Sequence, residues 1–199
     1  MNWQQVQSEQ IKKLCHHDWH FADIGACVGE VLGTLESIMS FGYAFEANKS
    51  SYDYLIDVYR KSNLVIENLA IANKNGSIEF YNGPSTHEGN LLGHDMSYNN
   101  LDAYNVVNCC TLDSYFKDKR IDFIKMDVEG AEWKVFEGAG ELLRDRNVLW
   151  QVEFHLDEDW HNREMLFKHG YNIFDLNFKK LGIDDPRPYQ AFLFKGDTL

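Results

Sequence analysis

Short apolar runs that alternate with helical patterns constrain this chain more than any other feature. "FADIGACVG" (21–29), "YAFEAN" (43–48), "LVIENLAI" (64–71), "IDFIKMDV" (121–128) and "VLWQVEFH" (148–155) read as buried strands. Helical patterns follow at 30–39, 50–63, from about Gly130, and in "REMLFKHG". Such alternation requires right-handed crossovers, hence a mostly parallel sheet with helices on both faces. "YQAFLFKG" (189–196) is expected to return beside "YNIFDLN" (171–177) as an antiparallel strand, and "GSIEFYN" (76–82), after the Asn75–Gly76 turn, as a hairpin partner. Residues 84–105 hold no periodicity and predict a lid or binding loop, or else a disordered segment. A helical extension over 1–20 and a single domain over 21–199 are expected.

In a sheet of this kind ligands sit beyond the carboxyl ends of the strands, near the point where strand order reverses. The join inside "IKMDVEGAEWKVFEGA" (124–139) falls there and gathers Lys125, Asp127, Glu129 and Glu132. "DIGACVG" supplies Asp23 at a strand end, then Gly25 and Gly29. The spacing is not the G-x-G-x-x-G of a dinucleotide fold, whose pyrophosphate needs several helix-terminal amides. Glu46 ends the second strand, about 20 residues beyond Asp23, where an acidic side chain accepts hydrogen bonds from a ribose diol. A nucleoside-bearing ligand without pyrophosphate fits both, and S-adenosylmethionine is one. Asp23, Gly25, Ala26, Gly29, Glu46, Asn68 and Asp127 form the candidate cofactor set.

Composition narrows the partners. A formal net charge of −12 with no cluster of Lys and Arg disfavours nucleic acid and anionic membrane. No stretch approaches the roughly 18 apolar residues of a membrane span, and the first residues lack a signal-peptide core. Cys15, Cys27, Cys109 and Cys110 include no C-x-x-C pair and read as reduced thiols of a cytoplasmic protein. The expected partner is a small molecule or glycan; nothing in the sequence sets the oligomeric state.

These motifs resemble the FkbM-type family of S-adenosylmethionine-dependent methyltransferases. The likeness runs from "FADIGACVG" through "YAFEAN", "NLAIANKNGSIEF" and "TLDSYF" to "IDFIKMDVEGAEWKVFEGAGELL" and "VEFH". It departs from the family at Ala47, often proline, and at Cys27 and Val28, commonly Asn-Ile. The resemblance implies an α/β, Rossmann-like class I methyltransferase fold, with a mostly parallel seven-stranded sheet, the last strand antiparallel and helices on both faces. It also implies O-methylation of a hydroxyl on a sugar or natural product.

Methyl transfer to a hydroxyl needs alignment of two reactants and removal of a proton. An unactivated alcohol has a pKa like that of water, about 15.7, so a base or a metal must help. Asp127, Glu129, Glu153 and His155 are the candidate catalytic residues. Glu153 and His155 leave one strand face, and either could be the general base. Lys125 reads as an ion-pair partner, and Glu132 as a carboxylate favoured by the helix dipole. A divalent metal on Asp127, Glu129, Glu153 and His155 is a competing reading that the resemblance does not call for, so none is expected. Two other functions compete: a methyltransferase-like module without turnover, and a nicotinamide-dependent oxidoreductase, which the glycine spacing disfavours.

Overall fold

The computed structural model describes residues 3–60, 62–82, 89–90 and 104–196. Strands are β1 (His20–Ile24), β2 (Phe41–Phe45), β3 (Leu64–Glu67), β4 (Ala70–Ile71), β5 (Gly76–Asn82), β6 (Gly89–Asn90), β7 (Tyr104–Cys110), β8 (Phe123–Met126), β9 (Leu149–Glu153), β10 (Asn172–Phe174), β11 (Lys180–Leu181) and β12 (Gln190–Phe194). Helices are α1 (Trp3–Leu14), α2 (Leu32–Ile38), α3 (Lys49–Val58), α4 (Leu112–Tyr115), α5 (Glu132–Glu137), α6 (Gly140–Asp145), α7 (Asp157–Trp160) and α8 (Glu164–Lys168).

The main sheet runs β11-β10-β12-β9-β8-β1-β2-β3. From β3 to β9 every pairing is parallel, while β12 lies antiparallel to both β9 and β10. The chain lays β2 and β3 on one side of β1, then β8 and β9 on the other, so the order reverses between β1 and β8. The expected seven strands are corrected to eight, because the two-residue β11 pairs with β10 at the edge.

A second correction concerns the third strand. It breaks after Glu67, and β4 joins a separate four-stranded sheet, β4-β7-β5-β6. β5 therefore pairs antiparallel with β7, not with β3. Asn68 explains the break: its Nδ2 donates to Glu46 O (2.9 Å) and Ala47 O (3.1 Å), spending the residue on the turn after β2. The one helix expected from Gly130 is two, α5 and α6. A Cβ at Gly138 would sit 2.2 Å from Ala72 O, so the backbones approach too closely for any other residue. Most of the expected 84–105 loop lies outside the described residues.

Alternation along the strands builds one core on each face. Ala22, Ile124 and Trp150 are aligned across β1, β8 and β9 and belong to the core that also holds Val135, Phe136 and Leu166. Phe21, Phe123 and Leu149, one residue earlier, belong to the opposite core with Ile11, Leu32, Leu35 and Leu55. Ile11 carries α1 into that second core, and the helix is pinned by Gln7 Nε2 donating to Gln151 Oε1 at 2.7 Å.

On this second face the next aligned row is polar: Asp23, Lys125 and Gln151. One step further on that face come Asp127, just past β8, and Glu153, the last residue of β9, with His155 two residues beyond it. The apolar layer stops where the strands reach their carboxyl ends. Among the described residues no helix is long and apolar enough to cross a membrane.

Candidate active site

Gly25 (φ 77°), Cys27 (φ 50°) and Gly29 (φ 84°) put three left-handed residues into the turn after β1. A Cβ on Gly25 would lie 1.8 Å from Asp127 O, so only glycine fits between the two strand ends. Gly25 N and Ala26 N both donate to Phe45 O, at 3.0 and 3.1 Å. The loop then folds onto Glu46, whose Oε2 accepts from Cys27 N (2.7 Å) and Oε1 from Asn48 N (2.6 Å). Asn48 caps α3, its Oδ1 accepting from the amides of Ser50 and Ser51.

Glu46 is only 7% exposed. Burial raises its carboxyl, and the two backbone donors oppose that rise. A carboxylate offers about four lone-pair positions, so two remain for further donors such as a ribose diol. With Gly25 leaving bare backbone beside it, the residues present fit a nucleoside-bearing cofactor. Asn68 stands behind this wall, holding the turn that carries Glu46.

Lys125 joins the loop to the acidic strand ends. Its Nζ lies 3.2 Å from Asp23 Oδ1 and 3.6 Å from Asp127 Oδ2, and donates to Gly25 O at 3.3 Å. Burial would strip its proton, but Asp23 and Asp127 outweigh that and hold it firmly charged. Burial raises Asp23 and Asp127 above the usual carboxylate range, and Lys125 resists the rise in both.

His155 sits at the centre of four carboxylates. Its Nδ1 is 2.9 Å from Glu132 Oε1, and its Nε2 lies 3.3 Å from Glu153 Oε1, 3.4 Å from Glu129 Oε2 and 3.7 Å from Asp127 Oδ1. Burial lowers the imidazole, but its contacts with Glu132 and Glu153 and the charges of Glu132 and Asp127 push it up to about 10. Glu153 is also raised by burial, yet His155, Tyr189 and Gln190 bring it below its ordinary value. Gln190 Nε2 donates to Glu153 Oε2 at 2.7 Å from the neighbouring strand.

Glu129 differs from its neighbours. It is 47% exposed at its side chain and adopts φ 53°, a left-handed conformation that costs a non-glycine residue about 1–2 kcal/mol. Burial and the surrounding carboxylates raise its pKa while His155 resists. Gly130 follows at φ 95° and donates its N–H to Glu132 Oε1 at 3.1 Å, closing the turn.

The four sequence-derived catalytic candidates thus meet around one imidazole, and Asp127 touches both the cofactor loop and the acidic cluster. Glu132, read from sequence as a carboxylate favoured by the helix dipole, is wholly buried and orients His155. Tyr189 and Gln190 carried no sequence signal. Tyr189 is raised by burial and by the neighbouring Glu153, and its ring lies 6.1 Å from that of His155 while remaining largely exposed. Only the antiparallel return of β12 beside β9 brings both residues there.

The fold and sequence have known relatives. The chain matches the methyltransferase FkbM domain over residues 23–175. The structure is similar to that of methyltransferase FkbM from Methylobacillus flagellatus KT, with a TM-score of 0.60 and 17% identity over 90% of this chain. The chain spans 44% of that protein. It is also similar to precorrin-6y C5,15-methyltransferase from Geobacter metallireducens GS-15 (TM-score 0.53, 12% identity, 96% of this chain and 84% of that one). A Streptococcus mutans protein assigned as a methyltransferase, in complex with SAH, gives 0.52 with 6% identity over 96% of both chains. No curated protein matches the sequence. The architecture is that of the class I S-adenosylmethionine-dependent methyltransferases, and by its match over more than half its length this chain belongs to the FkbM methyltransferase domain family.

Proposed function

We propose that this protein transfers a methyl group from S-adenosylmethionine to a hydroxyl of a glycan or small natural product. One observation carries the reading: the glycine loop and the acidic cluster touch, with Gly25 packed against Asp127 O, so a donor and an acceptor would meet at one strand end. S-adenosylmethionine supplies a methyl group on a cationic sulfonium that departs as a neutral thioether.

The chain's own residues supply the rest. Glu46 and the bare backbone at Gly25 hold the nucleoside end, and Lys125 fixes the loop to Asp127. His155 keeps its proton across neutral pH in this arrangement, so it orients carboxylates and does not take a proton. Glu129 is the base: exposed, held in a strained conformation facing the cluster, and raised above its ordinary value by burial, which makes it a stronger proton acceptor. It accepts the hydroxyl proton as the oxygen bonds to the methyl carbon.

The test is release of labelled methyl from S-adenosylmethionine into a panel of sugars, glycans and phenolic or aliphatic alcohols. Transfer to one acceptor class is expected, falling about 10²–10⁴-fold in Glu129→Gln while cofactor binding persists. A folded protein that binds the cofactor but methylates no member of the panel would instead be a silent module, the competing reading.

A further inference from the structure

Three carboxylate oxygens face one ring nitrogen of His155, and the nitrogen can satisfy only one of them. His155 Nε2 carries a single hydrogen or a single lone pair. Glu153 Oε1, Glu129 Oε2 and Asp127 Oδ1 surround it at 3.3, 3.4 and 3.7 Å. None reaches the roughly 2.7–2.9 Å of a charge-assisted hydrogen bond.

A second observation concerns the burial of one of these oxygens. Asp127 Oδ1 is sealed from solvent and accepts no hydrogen bond. Buried oxygens are rarely left so, and an ion or water usually completes them. Meanwhile the wholly buried Glu132 takes Nδ1 at 2.9 Å. A carboxylate can only accept there, so Nδ1 carries hydrogen, and a cation that displaces the Nε2 proton meets the lone pair it leaves facing the cluster. A carboxylate behind an imidazole in this way is the usual outer support of a metal-bound histidine.

We propose that Asp127, Glu153 and His155 bind a divalent transition-metal cation, Mn²⁺ or Zn²⁺ by the chemistry of two carboxylates and one imidazole. Donors about 2.1 Å from a tetrahedral metal lie about 3.4 Å apart. The Nε2–Glu153 and Nε2–Asp127 separations of 3.3 and 3.7 Å bracket that edge. Gln190 fixes the second oxygen of Glu153 and Lys125 that of Asp127, so each carboxylate turns one oxygen inward. Glu129 stays outside the ligand set and keeps its role as base.

The cation's role rests on the methyltransferase reading, though its binding does not. Bound to an open position, the acceptor hydroxyl becomes more acidic, as metal-bound water does. Its proton passes to Glu129 and its oxygen attacks the methyl carbon, with the carbon–sulfur electrons returning to sulfur.

Calorimetric titration of the EDTA-stripped full chain with MnCl₂ tests this; Mn²⁺ is the cleaner probe because thiols bind it poorly. One saturable site is expected. Glu132→Gln should weaken it about 10–100-fold, and Glu153→Gln and His155→Gln at least as much. Asp53→Asn, an exposed carboxylate on α3, should leave it unchanged. Absence of saturable uptake, or uptake unaffected by both Glu153→Gln and His155→Gln, overturns the proposal. Thermal unfolding checks each variant, and either ligand variant carries the test if the other fails to fold. Titration of S-adenosylhomocysteine in EDTA separates this failure from failure of the enzyme reading. Cofactor binding without metal uptake removes the cation alone; metal uptake without cofactor binding removes the methyltransferase and leaves the cation.

Discussion

The two halves of the site are built from different materials. On the cofactor side, backbone does most of the work: three left-handed residues shape the loop, and Glu46 already receives two backbone N–H groups. On the acceptor side, side chains do it, and they are under-compensated. Four carboxylates share one imidazole, and Asp127 Oδ1 has no donor at all. The first half is pre-formed and nearly satisfied before anything binds. The second holds an excess of negative charge that a cation, a proton or an acceptor must complete.

Lys125 is where the halves meet, so its loss should break both. Lys125→Met leaves Asp23 and Asp127 buried without their cation, and losing one partner of such a pair costs about 3–5 kcal/mol. Urea unfolding at neutral pH measures it. Asp23 and Asp127 already lie above the usual carboxylate range, so the deficit should shrink as pH falls and they protonate. A deficit that stays constant from neutral to acidic pH would contradict the ion-pair account.

Gly25→Ala breaks the cofactor half first. Its left-handed backbone costs alanine about 1–2 kcal/mol. The collision with Asp127 O adds an overpacking cost of about 1–3 kcal/mol. Cofactor titration and denaturant unfolding should both register the change; full cofactor affinity in this variant would mean that the loop does not approach the ligand.

Cys27 offers a smaller effect that sharpens the contrast without breaking anything. Burial and the charge of Glu46 push its thiol up to about 11. Only the thiolate reacts, so iodoacetamide labelling of Cys27 should keep accelerating up to that pH. S-adenosylhomocysteine should slow it. A plateau near pH 9 would show that the loop is open and that Glu46 is not beside the thiol.

Legibility in the sequence followed the same division. The strands that frame the site were readable because β1, β2, β8 and β9 are short, mostly apolar runs bounded by turns, and the glycine turn and Glu46 stand at their ends. The second sheet was not readable. β5 finds its partner in β7, across a Gly- and Asn-rich interval that carries no periodicity of its own. Glu132 was misjudged for a related reason. A glutamate in a first helical turn is well explained by the dipole alone, and its burial against His155 depends on β9 lying beside β8, which no local pattern encodes. Tyr189 and Gln190 needed the same tertiary fact one strand further out.

The central claim is that the pre-formed half binds S-adenosylmethionine through Glu46. Calorimetric titration of S-adenosylmethionine and S-adenosylhomocysteine into wild type and Glu46→Ala tests it most directly, with thermal unfolding to confirm that the variant is folded. The account predicts micromolar binding of both ligands to wild type and its loss in the variant. Well-folded wild-type protein that binds neither ligand would contradict it.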